Sequence, residues 1–283
     1  MTGCRLWMPR NVILTYEVEG ATIPVKRKVD FMDLKIISFN IRCCDDKGGN
    51  SIEERAPRLN EVITPLNADL IGLQEYRPAW ESHIAKYFGE KYEIFNKYRC
   101  ETTDIESSPI LWRKGKFECV KTGYFWLSDT PEVESRGWDE IYNCYRMCVY
   151  AILKDKVTGK FFNFMNTHFG FGDKGQMASA DLIFDYSKRI CDYPTVIVGD
   201  FNMRPDSAGY KRMSEYFVDV NAVTAKDMRT TFHGYKPLEH PDSHIDYCFV
   251  DRKVEPVSQS IIDTLVDGKY PSDHYGLEIA VKL

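Results

Sequence analysis

The chain carries no surplus of positive charge. Its 283 residues include 37 Lys and Arg against 42 Asp and Glu, a formal net charge of −5. Basic residues gather only in short clusters such as Lys26-Arg27-Lys28. Gripping duplex nucleic acid without regard to sequence takes a basic stripe that displaces counterions along the backbone, so stable duplex DNA binding is not expected. The nine cysteines form no C-x-x-C pair: Cys43 and Cys44 are adjacent, and Cys144 and Cys148 lie four apart. Such spacings suit reduced thiols better than a zinc site. No apolar run in the first thirty residues exceeds Val12-Ile13-Leu14. Neither a secretory segment nor a transmembrane span is therefore expected, and a reducing, cytoplasmic location is. There is no repeat, no low-complexity tract and no linker rich in Ser, Gly or Pro, which favours one main domain and a monomer. A 43% hydrophobic content suffices for its core.

Met32 opens "MDLKIISFNIR", where the main domain is expected to begin, spanning residues 32–283. Residues 1–31 form an N-terminal extension whose apolar–polar alternation around Glu19-Gly20 predicts a hairpin. Downstream, "LKIISFN" is a near-continuous apolar run, as expected of a strand covered on both faces. A helix is predicted from about Pro57, a residue suited to a first turn, through Leu59, Val62, Ile63 and Leu66. "DLIGLQEY", "SPILWRK", "YRMCVYAILKD", "KFFNFMNTHF" and "TVIVGDFN" read as further strands, and "MASADLIFDYSKRI" as a helix with Leu182, Ile183, Tyr186 and Ile190 on one face.

The strands share an unusual ending. Asn40, Glu75, His168, Asp200, Asn202, Asp246, Asp273 and His274 all fall at strand ends or in the adjoining loops. Singly, each has an ordinary explanation, since Asn and Asp are common turn formers. Burying a carboxylate is unfavourable by several kcal/mol unless a cation or hydrogen bonds compensate. Repeated acids at buried strand ends therefore point to a metal ion. In "GDFN", Asp200 and Asn202 are two apart, a spacing that directs both side chains of an extended segment to one side.

The motifs "SFN", "LQE", "NTH", "GDFN", "IDY" and "SDH", in this order, resemble those of the endonuclease/exonuclease/phosphatase superfamily, the deoxyribonuclease-I-like fold. The resemblance covers roughly residues 34–283, and six ordered motifs make it specific. It implies an α/β architecture, a four-layer α/β/β/α sandwich of two mixed sheets with helices outside. It also implies phosphate-ester hydrolysis by metal-activated water, with Mg²⁺ or Mn²⁺ held by Glu75, Asn40 and Asp273. By resemblance, Asp200 orients or deprotonates the water and Asn202 holds a non-bridging oxygen. His274, paired with Asp246, and His168 then serve the phosphate or the leaving group.

Asn40 and Asn166 are expected to contact substrate. One position departs from the abasic-site endonuclease pattern: Arg42 stands where an Asp is usual. A guanidinium there suits a phosphate clamp, and Arg146 is a second candidate. Around Trp126, Trp138, Tyr142 and Tyr145, aromatic side chains either stack on a substrate or anchor a long loop. The expected substrate is a phosphate ester, most readily a phosphodiester in single-stranded nucleic acid or a nucleotide. A lipid or sugar phosphate is the alternative within the fold. A non-catalytic scaffold is the alternative outside it, and the intact polar set argues against that.

Overall fold

The apolar runs become strands buried on both faces because a second sheet covers one side and helices cover the other. The computed structural model describes residues 11–18, 21–28, 31–103 and 105–283. Its strands are β1 Asn11–Val18, β2 Ala21–Lys28, β3 Asp33–Asn40, β4 Leu70–Gln74, β5 Tyr92–Phe95, β6 Ile110–Arg113 and β7 Phe117–Trp126. They continue as β8 Met147–Asp155, β9 Phe161–His168, β10 Thr195–Asp200, β11 Val218–Asp219, β12 Asp246–Val250, β13 Glu255–Ile262 and β14 Gly276–Lys282. The helices are α1 Ile52–Ile63, α2 Pro78–Phe88, α3 Asp173–Ile190, α4 Ala208–Tyr216 and α5 Val220–Val223. Strands β1 and β2 pair antiparallel as a two-stranded sheet of their own. The turn expected at Glu19-Gly20 lies outside the described residues.

Two six-stranded mixed sheets make the body, in the orders β11-β12-β10-β9-β8-β7 and β13-β14-β3-β4-β6-β5. Three apolar clusters fill the three spaces between four layers. Leu34, Ile36, Leu70, Val149, Phe164 and Val198 pack between the sheets. Phe39, Ile71 and Leu73 meet Leu59 and Val62 of α1 and Trp80 and Ile84 of α2. On the opposite flank, Met165, Ile197 and Phe249 meet Ile183 of α3 and Met213 of α4. This is the expected α/β/β/α sandwich.

Each sheet holds one parallel pair, β3–β4 and β9–β10, flanked by antiparallel strands. The carboxyl ends of both parallel pairs reach the same edge of the sandwich. Asn40 is in register with Gln74, and Asp200 with both His168 and Asp246. Strand β12 begins at that edge, and β14 begins just beyond Asp273 and His274. Topology therefore gathers residues as far apart in sequence as Asn40 and His274.

Helix α1 begins at Ile52, ahead of the expected Pro57. Ser51 accepts the Glu54 N–H while Glu54 accepts the Ser51 N–H, a reciprocal cap that outranks proline as a start signal. Pro57 sits inside the helix, where it deprives the Glu53 carbonyl of its helical partner. Helix α3 likewise starts at Asp173, a turn before the expected Met177.

The sheets approach closely at Gly72, where an added Cβ would stand 2.5 Å from the Val198 side chain and 3.0 Å from that of Asn166. Asn166, fully buried, bridges the sheets there. Its amide N–H groups donate to the carbonyls of Leu73 (2.8 Å) and Pro109 (2.9 Å), and its oxygen accepts from Gln74 Nε2 at 2.7 Å. The sequence reading of Asn166 as a substrate contact is therefore corrected, because the pleat turns this side chain inward and the opposite sheet takes up its polar atoms. Each stranded buried polar group is unfavourable by about 1–3 kcal/mol. Asn166→Leu should therefore lower the unfolding free energy by roughly 2–4 kcal/mol, read as a lower denaturant midpoint with unchanged slope. A loss under about 1 kcal/mol would show that the bridge is dispensable.

Candidate active site

At this edge, a pocket of about 710 Å³ opens between the strand ends, floored by Glu75, His168, Asp200, Asp273 and His274. Asn40 lies beneath them, fully buried. Its amide nitrogen donates to Glu75 Oε1 and to Asp200 Oδ2, both at 3.0 Å, and its oxygen accepts the Arg42 N–H. Asn40 thus fixes two carboxylates from behind and does not line the pocket, contrary to its expected contacts with metal and substrate. Two carboxylates facing one atom demand a donor there, so the amide nitrogen takes that position. The second Glu75 oxygen accepts the Cys43 N–H at 2.9 Å.

The first-motif loop is held in turn by Arg55, which is fully buried and which the sequence reading missed. It donates to the carbonyls of Ile41, Arg42, Cys44 and Asn50 and lies over the Trp80 ring at 5.2 Å. Its only sequence signal was its place just inside the α1 cap.

The remaining motifs lock together. Asp246 Oδ2 meets His274 Nδ1 at 2.9 Å. Thr231 Oγ1 accepts the Asp246 N–H, and Phe232 rests edge-on against the His274 ring at 5.0 Å. Ser272 donates to the Asn40 carbonyl at 2.6 Å, tying the last motif to the first. His274 Nε2 and His168 Nε2 stand 3.7 and 3.5 Å from the same Asp200 Oδ2.

Asn202 lines the pocket by a different route from the one its spacing suggested. Strand β10 stops at Asp200, and Asn202 turns into the left-handed region at φ 48°. Its N–H donates to Asp200 Oδ1 (2.9 Å), an Asx turn, and its amide donates to the Phe169 carbonyl. Arg42 (φ 61°) and Glu75 (φ 59°) share this conformation. For such residues it is uncommon and clusters where surrounding structure over-determines the backbone.

The expected clamp arginines are already partnered. Arg42 pairs with Asp46 at 3.0 Å and lies 3.6 Å from Asp273 and 3.8 Å from Glu75. Arg146 directs Nε and Nη2 to Asp139 Oδ2 at 3.1 and 3.0 Å. Both line the pocket, joined by Arg99 and Arg204, which the sequence reading did not single out as binding residues. Trp126 is a buried anchor whose indole donates to the Arg99 carbonyl, and Trp138 donates to Asp129. The pocket's aromatic surface comes from Tyr142, Phe171 and Phe232.

Burial and the Asp246 charge push the Asp200 carboxyl up to about 7. Burial opposes charge on His274, yet Asp246, Asp200 and Asp273 raise it to about 10. Burial and the Arg146 charge hold His168 well below the usual imidazole range. Glu75 is also penalised by burial, but neighbouring imidazoles and the donors Cys43 and Asn40 hold it well below the usual carboxylate range. Since His168 is kept neutral, the His274 charge and the two hydrogen bonds carry that effect. The two histidines are thus driven to opposite protonation states.

The donor set fits a hard divalent cation. Glu75, His168 and Asp200 offer ligand atoms within 4.8 Å of one another; Asp200, Asp246 and His274 lie as close, but protonated His274 has no lone pair to give. Asp246 Oδ1 and His168 Nδ1 are buried without a hydrogen-bond partner. Carboxylate oxygens suit Mg²⁺ or Mn²⁺. No cysteine joins either group, and none of the eight described cysteines is in a disulfide.

The raised His274 value makes its ion pair pH-dependent. Its stabilisation is full below the ordinary 6.5 and is lost as pH rises through about 10. In metal-free protein the His274 imidazole should stay protonated at pH 8. Asp246→Asn should lower its midpoint by about one to three units, followed by NMR of the ring protons. An unshifted midpoint would refute the pairing as the cause.

Among the described residues, no helix is long and apolar enough to cross a membrane. No curated protein matches the chain in sequence. Among solved structures, an endonuclease/exonuclease/phosphatase family protein from Bacteroides thetaiotaomicron is 26% identical with a TM-score of 0.83, over 90% of this chain and 99% of that one. A counterpart from Bacteroides vulgatus is 28% identical with a TM-score of 0.81, over 89% and 99% of the two chains. A mannosyl-6-phosphatase from Bacteroides thetaiotaomicron is 26% identical with a TM-score of 0.78, over 88% and 99%. The model of the Endonuclease/Exonuclease/phosphatase family matches residues 37–274, a span that holds every motif from Asn40 to His274, and the chain belongs to that family.

Proposed function

We propose that the chain is a divalent-metal-dependent phosphoesterase that hydrolyses a small or single-stranded phosphate ester with activated water. The observation that carries this reading is the convergence of His168 and His274 on one oxygen of Asp200, beside Glu75. Glu75 and Asp273 would hold Mg²⁺ or Mn²⁺, with an Asp200 oxygen within reach. The ion, when bound, polarises the phosphoryl oxygens and offsets charge that builds on them.

The chain's own groups divide the remaining work. Asp200, with its carboxyl pushed to about 7, is poised to take a proton from water near neutral pH. His274, held protonated by Asp246, donates to a phosphoryl oxygen and stabilises the transition state. Neutral His168 positions Asp200 and orients the attacking water. Asn202, held by its bond to the Phe169 carbonyl, directs its amide at a non-bridging oxygen. Asn40 is a positioning residue for Glu75 and Asp200.

The pocket supports a compact substrate, since its cationic lining is local and the chain is acidic overall. A phosphodiester is the first reading. The sugar phosphomonoester is the second, favoured by the likeness to the mannosyl-6-phosphatase over most of both chains.

Glu75→Gln should keep the fold and lose Mg²⁺ affinity and activity together; unchanged affinity by calorimetry would remove Glu75 from the metal site. Asp200→Asn and His274→Ala should each lower kcat about a hundredfold or more. The double variant should fall well short of the product of those losses, because groups serving one step are non-additive. Fully multiplicative losses would separate the two roles. Side by side at physiological salt, small esters and single strands should exceed duplex DNA in kcat/KM. Duplex preferred by about tenfold, or about 1.4 kcal/mol, would overturn the substrate class.

A further inference from the structure

Two cysteine side chains meet beside Glu75 and take no part in the chemistry assigned to the pocket. Cys43 Sγ and Cys44 Sγ stand 3.2 Å apart, hydrogen-bonded to one another. Both residues are half-buried, and Cys43 lines the pocket. A small oxidant that enters the pocket therefore reaches the pair, whereas Cys148 and Cys248 are sealed in the core.

The backbone around the pair is held at the Arg42 carbonyl, the Cys43 N–H and the Cys44 carbonyl. The Arg42 carbonyl accepts from Arg55 Nη2 at 3.1 Å and from the Trp80 indole at 3.0 Å. The Cys44 carbonyl accepts from the same Arg55 nitrogen at 2.6 Å. Between them, the Cys43 N–H donates to Glu75 Oε2 at 2.9 Å. Arg55 and Trp80 are fully buried, while Glu75 lines the pocket. Movement of Cys43 is thus resisted on the core side, and the contact left to yield is the one with Glu75.

A bond between the two sulfurs would demand such movement. A disulfide brings its sulfurs to about 2.05 Å and usually holds its Cα atoms about 4.4–6.8 Å apart. Neighbouring residues offer only about 3.8 Å across a trans peptide. Closure would therefore strain the segment, and strained disulfides are the readily reduced, regulatory kind.

We propose that Cys43 and Cys44 form an oxidative modification site, closed to a reversible disulfide by a hydroperoxide, and that closure draws the Cys43 N–H off Glu75 and weakens metal binding. Burial and the Glu75 charge hold the Cys43 thiol well above its ordinary range, which leaves the first step to Cys44. With hydrogen peroxide, the Cys44 sulfur attacks one oxygen, the O–O bond breaks, and a sulfenic acid and one water result. The Cys43 sulfur then attacks the sulfenic sulfur; the S–S bond forms, the S–O bond breaks and a second water leaves. The two thiols lose two electrons to the peroxide, and their protons depart in the waters. The effect on the metal rests on the reading of Glu75 as its ligand; the disulfide itself does not.

The test treats the full chain with hydrogen peroxide, blocks the remaining thiols and maps tryptic peptides by mass. Cleavage after Arg42 and Lys47 places both cysteines in one peptide, residues 43–47. That peptide should be unlabelled and lighter by two hydrogens, and dithiothreitol should restore both thiols. Full labelling after peroxide, or a link from Cys43 to Cys144, which also lines the pocket, would overturn the site. By calorimetry, the oxidised chain should bind Mn²⁺ about tenfold more weakly, the scale of a lost ligand-orienting contact, and recover on reduction. Cys44→Ser should keep its Mn²⁺ affinity through the same treatment. Cys119→Ser, which deletes an exposed thiol on β7, should still lose it. An equal loss in Cys44→Ser, or a disulfide with unchanged affinity, would overturn the link to Glu75. A mapped disulfide in a chain that binds no Mn²⁺ in either state would keep the modification site and sink the metal-dependent reading of the pocket.

Discussion

The structure depends on keeping four carboxylates, Glu75, Asp200, Asp246 and Asp273, together at a water-poor edge. Their mutual repulsion and lost hydration would disfavour folding unless each had a compensating donor or charge. Glu75 and Asp200 share one donor, the Asn40 amide, and the other partners differ. Glu75 has the Asn40 amide and Cys43 N–H; Asp246 has His274; Asp273 has Arg42 at 3.6 Å. Asp200 has the Asn40 amide and the Asn202 N–H, yet burial still lifts it to about 7. Burial thus brings the carboxyl proposed to exchange a proton close to neutrality. Full compensation there would leave it too weak a base.

Compensation on this scale needs the two sheets at a fixed separation, because the donors come from both. Asn40 and Glu75 belong to the sheet of β3 and β4, and Asp200 and His168 to that of β9 and β10. Gly72 permits the close approach, and Asn166 with Gln74 fixes it through buried hydrogen bonds. Such bonds are directional where apolar packing is not, so they set register as well as distance. Stability and the geometry of the polar edge are here properties of the same few inward-facing side chains.

Much of this could be read from the residues. Apolar runs ending in Asn, Glu, His or Asp located the edge, and the ordered motifs brought the sandwich and the His274–Asp246 pair with them. The failures have physical causes. Asn166 sits inside "NTH" two residues before His168, and strand alternation sends both to one face; only His168, at the strand end, reaches the pocket, while Asn166 lies deeper, where Leu73, Gln74 and Pro109 take up its polar atoms. The spacing of Asp200 and Asn202 assumed a continuing strand, whereas the Asx turn ended it at Asp200. Arg42 and Arg146 looked available because their partners, Asp46 and Asp139, carry no motif. Arg55 passed unnoticed because a staple of four carbonyls is a tertiary fact. Pro57 drew the helix start away from Ser51 and Glu54, whose reciprocal cap was present in the letters.

The left-handed residues show how local conformation and site chemistry meet. Glu75, Arg42 and Asn202 each follow within two residues of a strand that ends at the edge. An extended continuation would carry each chain past the pocket, and its side chains would alternate between the inter-sheet core and the helices. A single residue at positive φ turns the chain instead, at a penalty of order 1–3 kcal/mol. It leaves the Glu75 carboxylate against the Asn40 amide and the Asn202 N–H on Asp200. Glycine would adopt these angles more readily but would delete the side chain that reaches the pocket. The strain is therefore the consequence of needing a polar side chain where the backbone has to turn. Packing beneath it, through Arg55, Asn40 and Gln176, makes the turn stable.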